Sequence, residues 1–333
     1  MNALPNLRAQ SIVGGKLGKL RLRCPRCTSN LGAVDYTSTP FNNGITCPRC
    51  SFVLDHQRGI LLALPPERQE HYKRFLTEYQ IVRAAEGRGS KDAAYYLALP
   101  FRDLTGKNQS QWSIRAQTYR YVERELLPKV AGNRSGITIL DLGAGNGWLS
   151  YRLSLLGHRP VAVDLLINDS DGLGAATHYL QKLERLFPRF QAELDALPFE
   201  GTQFDCVIFN ASFHYSENYS KTLGEAIRCL RKGGVVIIAD TPWYSKEESG
   251  RQMLRERRAF FQQQYGFPSD ALASREYLTD RRLRDMEKLF GIRWQTHQPS
   301  YGLRWALRPT LARLQGKREP SSFRIYVARM VNA

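Results

Sequence analysis

Four cysteines, Cys24, Cys27, Cys47 and Cys50, stand in the pattern C-x2-C-x19-C-x2-C, and both tight pairs read Cys-Pro-Arg-Cys. Two residues between cysteines let one turn deliver two thiolates to an ion, and a second turn closes a tetrahedral set with no open position. That chemistry is a structural metal site. Zn2+ suits it best, and a rubredoxin-type iron centre is less favoured because the chain carries no other redox signature. Cys206 and Cys229 lie in apolar runs and read as reduced core residues. A second constellation is acidic. Residues 137–147 read Ile-Thr-Ile-Leu-Asp-Leu-Gly-Ala-Gly-Asn-Gly, with Asp141 just ahead of Gly143, Gly145 and Gly147; Asp164 ends the next apolar run, and Asp195 opens Asp-Ala-Leu-Pro-Phe.

Glycines where a strand turns into a helix let the backbone approach a ligand, and two nucleotide classes compete for such a loop. Dinucleotide sites use G-x-G-x-x-G over a helix N-terminus that receives a pyrophosphate. Here the third glycine comes one residue early, and the Asp141 carboxylate would repel a phosphate yet pair with an ammonium group. Asp164, 17 residues past Gly147, is placed to accept from two ribose hydroxyls. Asp195 suits an adenine amino group. A ligand with an amino-acid end, a ribose and an adenine but no phosphate satisfies all three carboxylates, and S-adenosylmethionine is that ligand.

The elements that must hold these groups are a small metal-dependent ribbon and an alternating α/β unit. The segment from about Leu20 to Leu64 is too short to bury a core of its own and is expected to fold around the metal. Pro65-Pro66 ends it, and Tyr72, Phe75, Leu76, Tyr79 and Val82 recur near helical spacing over Glu67 to Glu86. The apolar segment Tyr95 to Phe101 is expected to pack on the following domain. A second helix is expected from Trp112 to Leu127, stopping at Pro128. From Ile137 the apolar runs Ile137–Leu142, Pro160–Leu166, Phe204–Phe209 and Val235–Ala239 alternate with helical patterns at Trp148–Leu156, Ala175–Phe187 and Ser220–Leu230. That alternation predicts a doubly wound parallel sheet. A helical tail is expected over Arg251 to Lys288 and a late strand over Ser322 to Ala328. The chain therefore divides into a ribbon over 1–66, a helical connector over 67–134, a ligand-binding core over 135–250 and a basic extension over 251–333.

Taken together, the glycine loop, Asp164, Asp195-Ala196-Leu197-Pro198-Phe199, the strand Phe204 to Asn210 and Leu230-Arg231-Lys232-Gly233-Gly234 resemble the class I S-adenosylmethionine-dependent methyltransferases, specifically the methyltransferase type 11 group, over about 135–244. The resemblance implies a Rossmann-like seven-stranded sheet with the donor across the strand ends. It implies Gly143, Gly145 and Gly147, with Ala144 and Asn146 between them, at the methionine end near Asp141, then Asp164 at the ribose and Asp195 with Ala196 at the adenine. The ribbon ahead of such a domain resembles the architecture of bacterial 23S ribosomal RNA guanine-N1 methyltransferases, and also the small zinc proteins that partner translation-related methyltransferases, here joined in cis.

Methyl transfer is a displacement at an already activated carbon, so alignment does most of the work and a general base matters only for an acceptor that must lose a proton. Asn210-Ala211-Ser212-Phe213-His214-Tyr215 follows the strand expected to face the acceptor. Asn210 and Phe213 match exocyclic-amine methyltransferases, but Ala and Ser stand where those enzymes carry prolines, which counts against an exocyclic nitrogen of adenine or cytosine. His214 is the candidate base, or equally a packed structural group; Asn210 and Tyr215 stand with it as acceptor-side candidates, Tyr215 being alternatively a core residue, and Asn210 also closes the donor site. Trp148, Trp243 and Tyr244 either wall the acceptor pocket or belong to the core.

Charge narrows the partners. The 333 residues carry 48 Lys plus Arg against 31 Asp plus Glu, a formal charge of +17. Residues 1–136 hold 21 basic and 10 acidic side chains, 137–250 hold 10 and 14, and 251–333 hold 17 and 7. Basic flanks around an acidic centre fit a polyanion such as RNA at the flanks, and equally fit a solvated surface. Basic residues interleaved with aromatics around Trp305 suit base stacking or an anionic lipid surface. No apolar run is long enough to cross a membrane, and Met1 to Gln10 lacks the pattern of a secretory signal, so a cytoplasmic location is the expectation. The acceptor and the oligomeric state are not readable from the residues.

Overall fold

A computed structural model of the chain describes residues 18–36 and 44–330; the Met1 to Gln10 segment considered above lies outside them. Strands β1 (Leu20–Arg23) and β2 (Asn30–Val34) form an antiparallel pair, and β3 (Ile45–Thr46), β4 (Val53–Gln57) and β5 (Ile60–Leu62) form a meander. Helix α1 (Pro66–Ala85) follows, with Pro66 in its first turn, where no backbone N–H is required. After α2 (Ala93–Ala98) comes α3 (Gln109–Tyr121). The expected stop at Pro128 does not occur: the chain widens into a π turn over Val122–Leu126 and continues as α4 (Leu127–Ala131). Pro128 thus falls in the first turn of a new helix, where its missing N–H is tolerated.

The alternating unit comprises β6 (Thr138–Leu142), α5 (Trp148–Leu155), β7 (Arg159–Asp164), β8 (Arg189–Gln191), β9 (Phe204–Asn210), α6 (Tyr219–Cys229) and β10 (Leu230–Ala239). The helix expected over Ala175 to Phe187 is instead 3-10 turns over Leu173–Gln181. Ahead of it Gly172 and Gly174 pass so close to residues 166–169 that a Cβ at either would lie 2.5 Å or less from a neighbouring oxygen. The helical tail is two helices, α7 (Glu247–Tyr265) and α8 (Asp280–Phe290), separated where Gly266 takes φ +81° ahead of Pro268. Then come β11 (Gln295–His297), the short α9 (Leu303–Ala306) and α10 (Arg308–Leu314), and β12 (Ile325–Arg329), the expected late strand.

The main sheet has the order β11-β12-β10-β9-β6-β7-β8-β5-β4-β3. It therefore holds ten strands among the described residues, where seven were expected. The seven from β11 to β8 are the alternating unit and its tail; the other three come from the ribbon. An unpaired β8 edge would offer a row of free N–H and C=O groups, and β5 covers it in parallel, Ile60 to Leu62 facing Arg189 to Gln191. Leu22, Cys24 and Leu54 of the ribbon share one buried cluster with Phe190, Phe199 and Leu230 of the sheet, and Arg23 pairs with Glu225 at 3.2 Å. The ribbon is thus built into the body. Strand order runs β6-β7-β8 to one side and β9-β10 to the other, so a crevice opens at the carboxyl ends of β6 and β9, the switch point where doubly wound sheets bind ligands.

Candidate active site and four-cysteine cluster

The loop after β6 is shaped by backbone conformation. Gly143, Gly145 and Gly147 take φ of +73°, +55° and +78°, values that favour glycine. The N–H groups of Gly143 and Ala144 both donate to Val163 O, at 2.8 and 3.0 Å. Gly143 is sterically obligatory as well: a Cβ there would lie 2.3 Å from Ser212 Cβ, and Ser212 is pinned because its hydroxyl donates to Leu142 O at 2.5 Å. Gly147 serves packing. It opens α5 in the left-handed conformation, and a Cβ would meet the Phe187 ring at 2.9 Å.

Asp164 is held by the same loop. Its carboxylate accepts from Gly145 N–H at 2.7 Å and from Leu166 N–H at 2.8 Å. Burial nevertheless pushes it up to about 6, against those hydrogen bonds. Asp141, wholly buried, accepts from the Ser150 hydroxyl at 2.8 Å. Burial, with the Asp164 charge adding, pushes it up to about 7. Asp195 is also raised, first by burial and then by Glu193. Three carboxylates whose charge is held back by desolvation line one cleft, together with Gly143, Ala144, Gly145, Asn146, Asn210 and Tyr215. Gly147, Ala196 and His214 do not line it.

His214 sits on a 3-10 turn over Phe213–Tyr215, and its Nδ1 is buried with no hydrogen-bond partner among the described residues. Burial drives its pKa down to about 4, and the charges acting on it are Glu276, Arg257 and Arg115. The imidazole is therefore neutral at pH 7 and lies behind the cleft wall. Trp148 lines the cleft, whereas Trp243 donates from Nε1 to Asp280 at 3.0 Å and Tyr244 packs on Tyr277, both outside it. The other wall comes from residues that sequence reasoning treated only as helix spacing. Tyr72, Phe75, Leu76 and Tyr79 project from one face of α1, at a periodicity that was visible, and Arg83, which that spacing did not include, joins them. Arg83 pairs with Asp171, its Nη2 donating to Oδ1 at 2.9 Å. Trp112 and Arg115 of α3 complete that side, and nothing in the residue order singles them out.

The four cysteine sulfurs converge within 4.8 Å of one another. The two turns are equivalent: Thr28 N–H donates to Cys24 O at 2.9 Å and Ser51 N–H to Cys47 O at 3.0 Å, with Thr28 and Ser51 at φ +63° and +58°. Sulfurs of Cys24 and Cys50 are 3.6 Å apart and those of Cys27 and Cys47 3.5 Å. A tetrahedral ion with metal–sulfur bonds of about 2.3 Å has sulfur–sulfur edges of about 3.8 Å, so the set fits such an ion. The Ser29 hydroxyl draws Cys47 down to about 6, while burial pushes Cys24 up to about 12. Holding all four as thiolates needs a cation among them.

Part of the basic charge in the tail is engaged. Arg255 pairs with Glu248 at 2.8 Å, Arg257 with Glu276 at 2.5 Å and Arg258 with Asp270 at 3.8 Å. Trp305 stacks on Phe323 and carries the Arg308 guanidinium over its ring at 3.9 Å. Among the described residues no helix is long and apolar enough to cross a membrane.

Residues 140–238 match the family model described as a methyltransferase domain. That stretch is the centre of the sheet and the floor of the cleft. Over 106 residues the chain is 28% identical to a malonyl-[acyl-carrier protein] O-methyltransferase of Buchnera aphidicola, covering 31% of this chain and 39% of that protein. Over 108 residues it is 33% identical to the ubiquinone/menaquinone biosynthesis C-methyltransferase UbiE of Blochmanniella floridana, covering 32% and 42%. The chain thus spans less than half the length of these curated relatives. Among solved structures it is similar to a Burkholderia thailandensis 1,6-didemethyltoxoflavin-N1-methyltransferase with bound S-adenosylhomocysteine, at 16% identity and a TM-score of 0.44 over 80% of this chain and 92% of that one.

Proposed function

We propose that the chain is a class I S-adenosylmethionine-dependent methyltransferase acting on a small acceptor, with a structural Zn2+ held by Cys24, Cys27, Cys47 and Cys50. The observation that carries the reading is the convergence of Asp141, Asp164 and Asp195 in one cleft beside the glycine loop. In this reading Asp141 faces the ammonium end of the donor, Asp164 the ribose hydroxyls and Asp195 the adenine amino group, with Leu165 and Leu194 against the adenine faces. The donor supplies an electrophilic methyl group. The chain's own part is to bind, align and exclude water, which is where proximity supplies most of the rate. Asn210 and Tyr215 stand on the acceptor side. His214, neutral and outside the cleft lining, acts there as a packing residue.

A small acceptor is favoured over an RNA base by two features. The acceptor side is walled by the rings of Phe75, Tyr79 and Tyr215, with Tyr215 edge-on to both at 6.0 and 5.9 Å. Among the described residues, seven of the tail's 17 basic side chains lie within 4.0 Å of a carboxylate.

The test is to incubate the protein with methyl-labelled S-adenosylmethionine and a cell extract separated into RNA, protein and small-molecule fractions, with Asp164→Ala as control. Label in the low-molecular-weight fraction is expected. Label in RNA would replace the small acceptor by a base. A calorimetric donor dissociation constant below about 100 μM, worth over roughly 5 kcal/mol, is expected; no measurable donor binding would reduce the chain to a binding protein with a vestigial cleft.

A further inference from the structure

We infer that the cleft continues past Tyr79 and Tyr215 into a chamber that binds one acidic group of a small ligand, a carboxylate or a phosphate. As an acceptor subsite this rests on the methyltransferase reading; as an anion site it stands on its own geometry.

The chamber and the cleft share Phe75, Tyr79, Arg83, Arg115, Tyr215 and Leu272 as a common wall. Beyond that wall Arg88, Arg257, Glu86 and Glu276 also face the chamber. Three of the four guanidiniums have a carboxylate partner, and Glu86 lies within reach of both Arg83, at 3.9 Å, and Arg88. Arg83 is bonded to Asp171, Arg88 to Glu86 at 3.2 Å and Arg257 to Glu276 at 2.5 Å. Arg115 is the one left over: among the described residues no carboxylate oxygen lies within 4.0 Å of its nitrogens. Its contact is with the face of Trp112, 4.9 Å from the ring centre. Asp240 attracts it from farther off, with Oδ1 engaged by the Thr118 hydroxyl at 2.6 Å and Oδ2 buried without a hydrogen-bond partner among the described residues, but it faces neither cavity.

The matched arginines are not saturated either. The Arg88 side chain is 2% exposed, and among the described residues neither its Nη1 nor Arg257 Nε, both buried, has a hydrogen-bond partner. Burial, with the charges of Arg88 and Arg83 adding, lowers the Arg115 pKa, the signature of a cation short of a counter-ion. Desolvated guanidinium groups with open N–H positions bind planar oxyanions in a fork geometry that neutral groups do not reproduce. Arg115 lines the cleft and the chamber alike, so an acid held there leaves the rest of a small molecule beside Tyr79 and Tyr215.

The experiment titrates the full chain, without donor, with benzoate and with phenyl phosphate, using benzamide as the neutral counterpart of benzoate and calorimetry as readout. The expected result is binding of at least one of the two anions, with benzamide at least tenfold weaker than benzoate if the carboxylate binds. The tighter anion names the acid. Arg115→Met is expected to weaken anion binding at least tenfold with its melting temperature kept, and Arg115→Lys to recover part of it. Anions bound by Arg115→Met as by the wild type would overturn the inference, and so would benzamide binding as well as both anions, or no anion binding at all. Because no donor is present, the titration is blind to S-adenosylmethionine: anion binding without donor binding would remove the methyltransferase reading and leave the chamber standing.

Discussion

The two ends of the cleft are built by different means. At the donor end the groups sit at strand ends and are fixed by backbone: Asp164 accepts from two main-chain N–H groups, and Gly143 is wedged against Ser212. At the arginine end Arg83, Arg88, Arg115 and Arg257 come from three helices and a loop; Arg83, Arg88 and Arg257 are held by side-chain ion pairs, and Arg115 lies over the Trp112 ring. Backbone-built sites tolerate almost no substitution yet vary little from one ligand to the next. Sites built from long side chains can change specificity without disturbing the sheet. That difference suits a common donor at one end and a particular acceptor at the other.

The largest expected effect tests whether the ribbon is structurally continuous with the donor end. Cys47→Ser should release the metal and, because β5 pairs with β8 and the ribbon shares its core with Phe190 and Phe199, lower the stability of the whole chain by upward of about 4 kcal/mol. Metal content and a urea melt check it; an unchanged melt would make the ribbon an independent appendage. Next is the backbone rule itself. Gly143→Ala should cost about 2 to 4 kcal/mol in the same melt, from a left-handed φ plus overpacking against Ser212. Gly145→Ala, whose Cβ would meet only Asp171 O at 3.6 Å, should cost about 1 kcal/mol. Equal costs at the two positions would refute the steric account.

Asp164→Ala should weaken donor binding by about 1.5 to 3 kcal/mol, the scale of hydrogen bonds to a charged group. Unchanged calorimetric affinity would sink the ribose assignment. The smallest effect is on pH. An unfolded carboxyl titrates near about 3.9, whereas Asp141 is pushed up to about 7 and Asp164 to about 6. Folded-state pKa values raised above the unfolded ones give stability that is present below about pH 4 and lost as pH rises towards 7. A donor ammonium prefers the ionised Asp141, so donor affinity should move the other way, rising between pH 5 and 8 by at most about tenfold per pH unit for each proton released. Calorimetry across that range checks the sign, and Asp141→Asn should flatten the slope.

The parts legible in the residues were those fixed over short distances. The Cys-Pro-Arg-Cys turns, the glycine loop and the acids ending β7 and preceding β9 each follow from the conformational needs of a few neighbouring residues. Strands β6, β7, β9 and β10 were readable because buried parallel strands are nearly continuous apolar runs; β8 and β11, three residues each, carry no such run. The helix said to stop at Pro128 was misread because a π turn moved the proline into a first turn. The α1 wall was visible as a periodicity, but Tyr79 and Arg83 are also what an ordinary half-buried helix carries. His214 drew notice because histidine suits catalysis, yet a 3-10 turn puts its ring outside the cleft lining.

By itself the sequence determined the four-cysteine cluster, the alternating core and the three carboxylates beside the glycine loop, because turn chemistry and hydrophobic runs act between near neighbours. Only the tertiary structure decided that, among the described residues, the ribbon extends the sheet to ten strands and Arg115 is left without a carboxylate partner where the cleft meets the chamber. Edge pairing and charge matching depend on which distant segments come together. No local pattern encodes that.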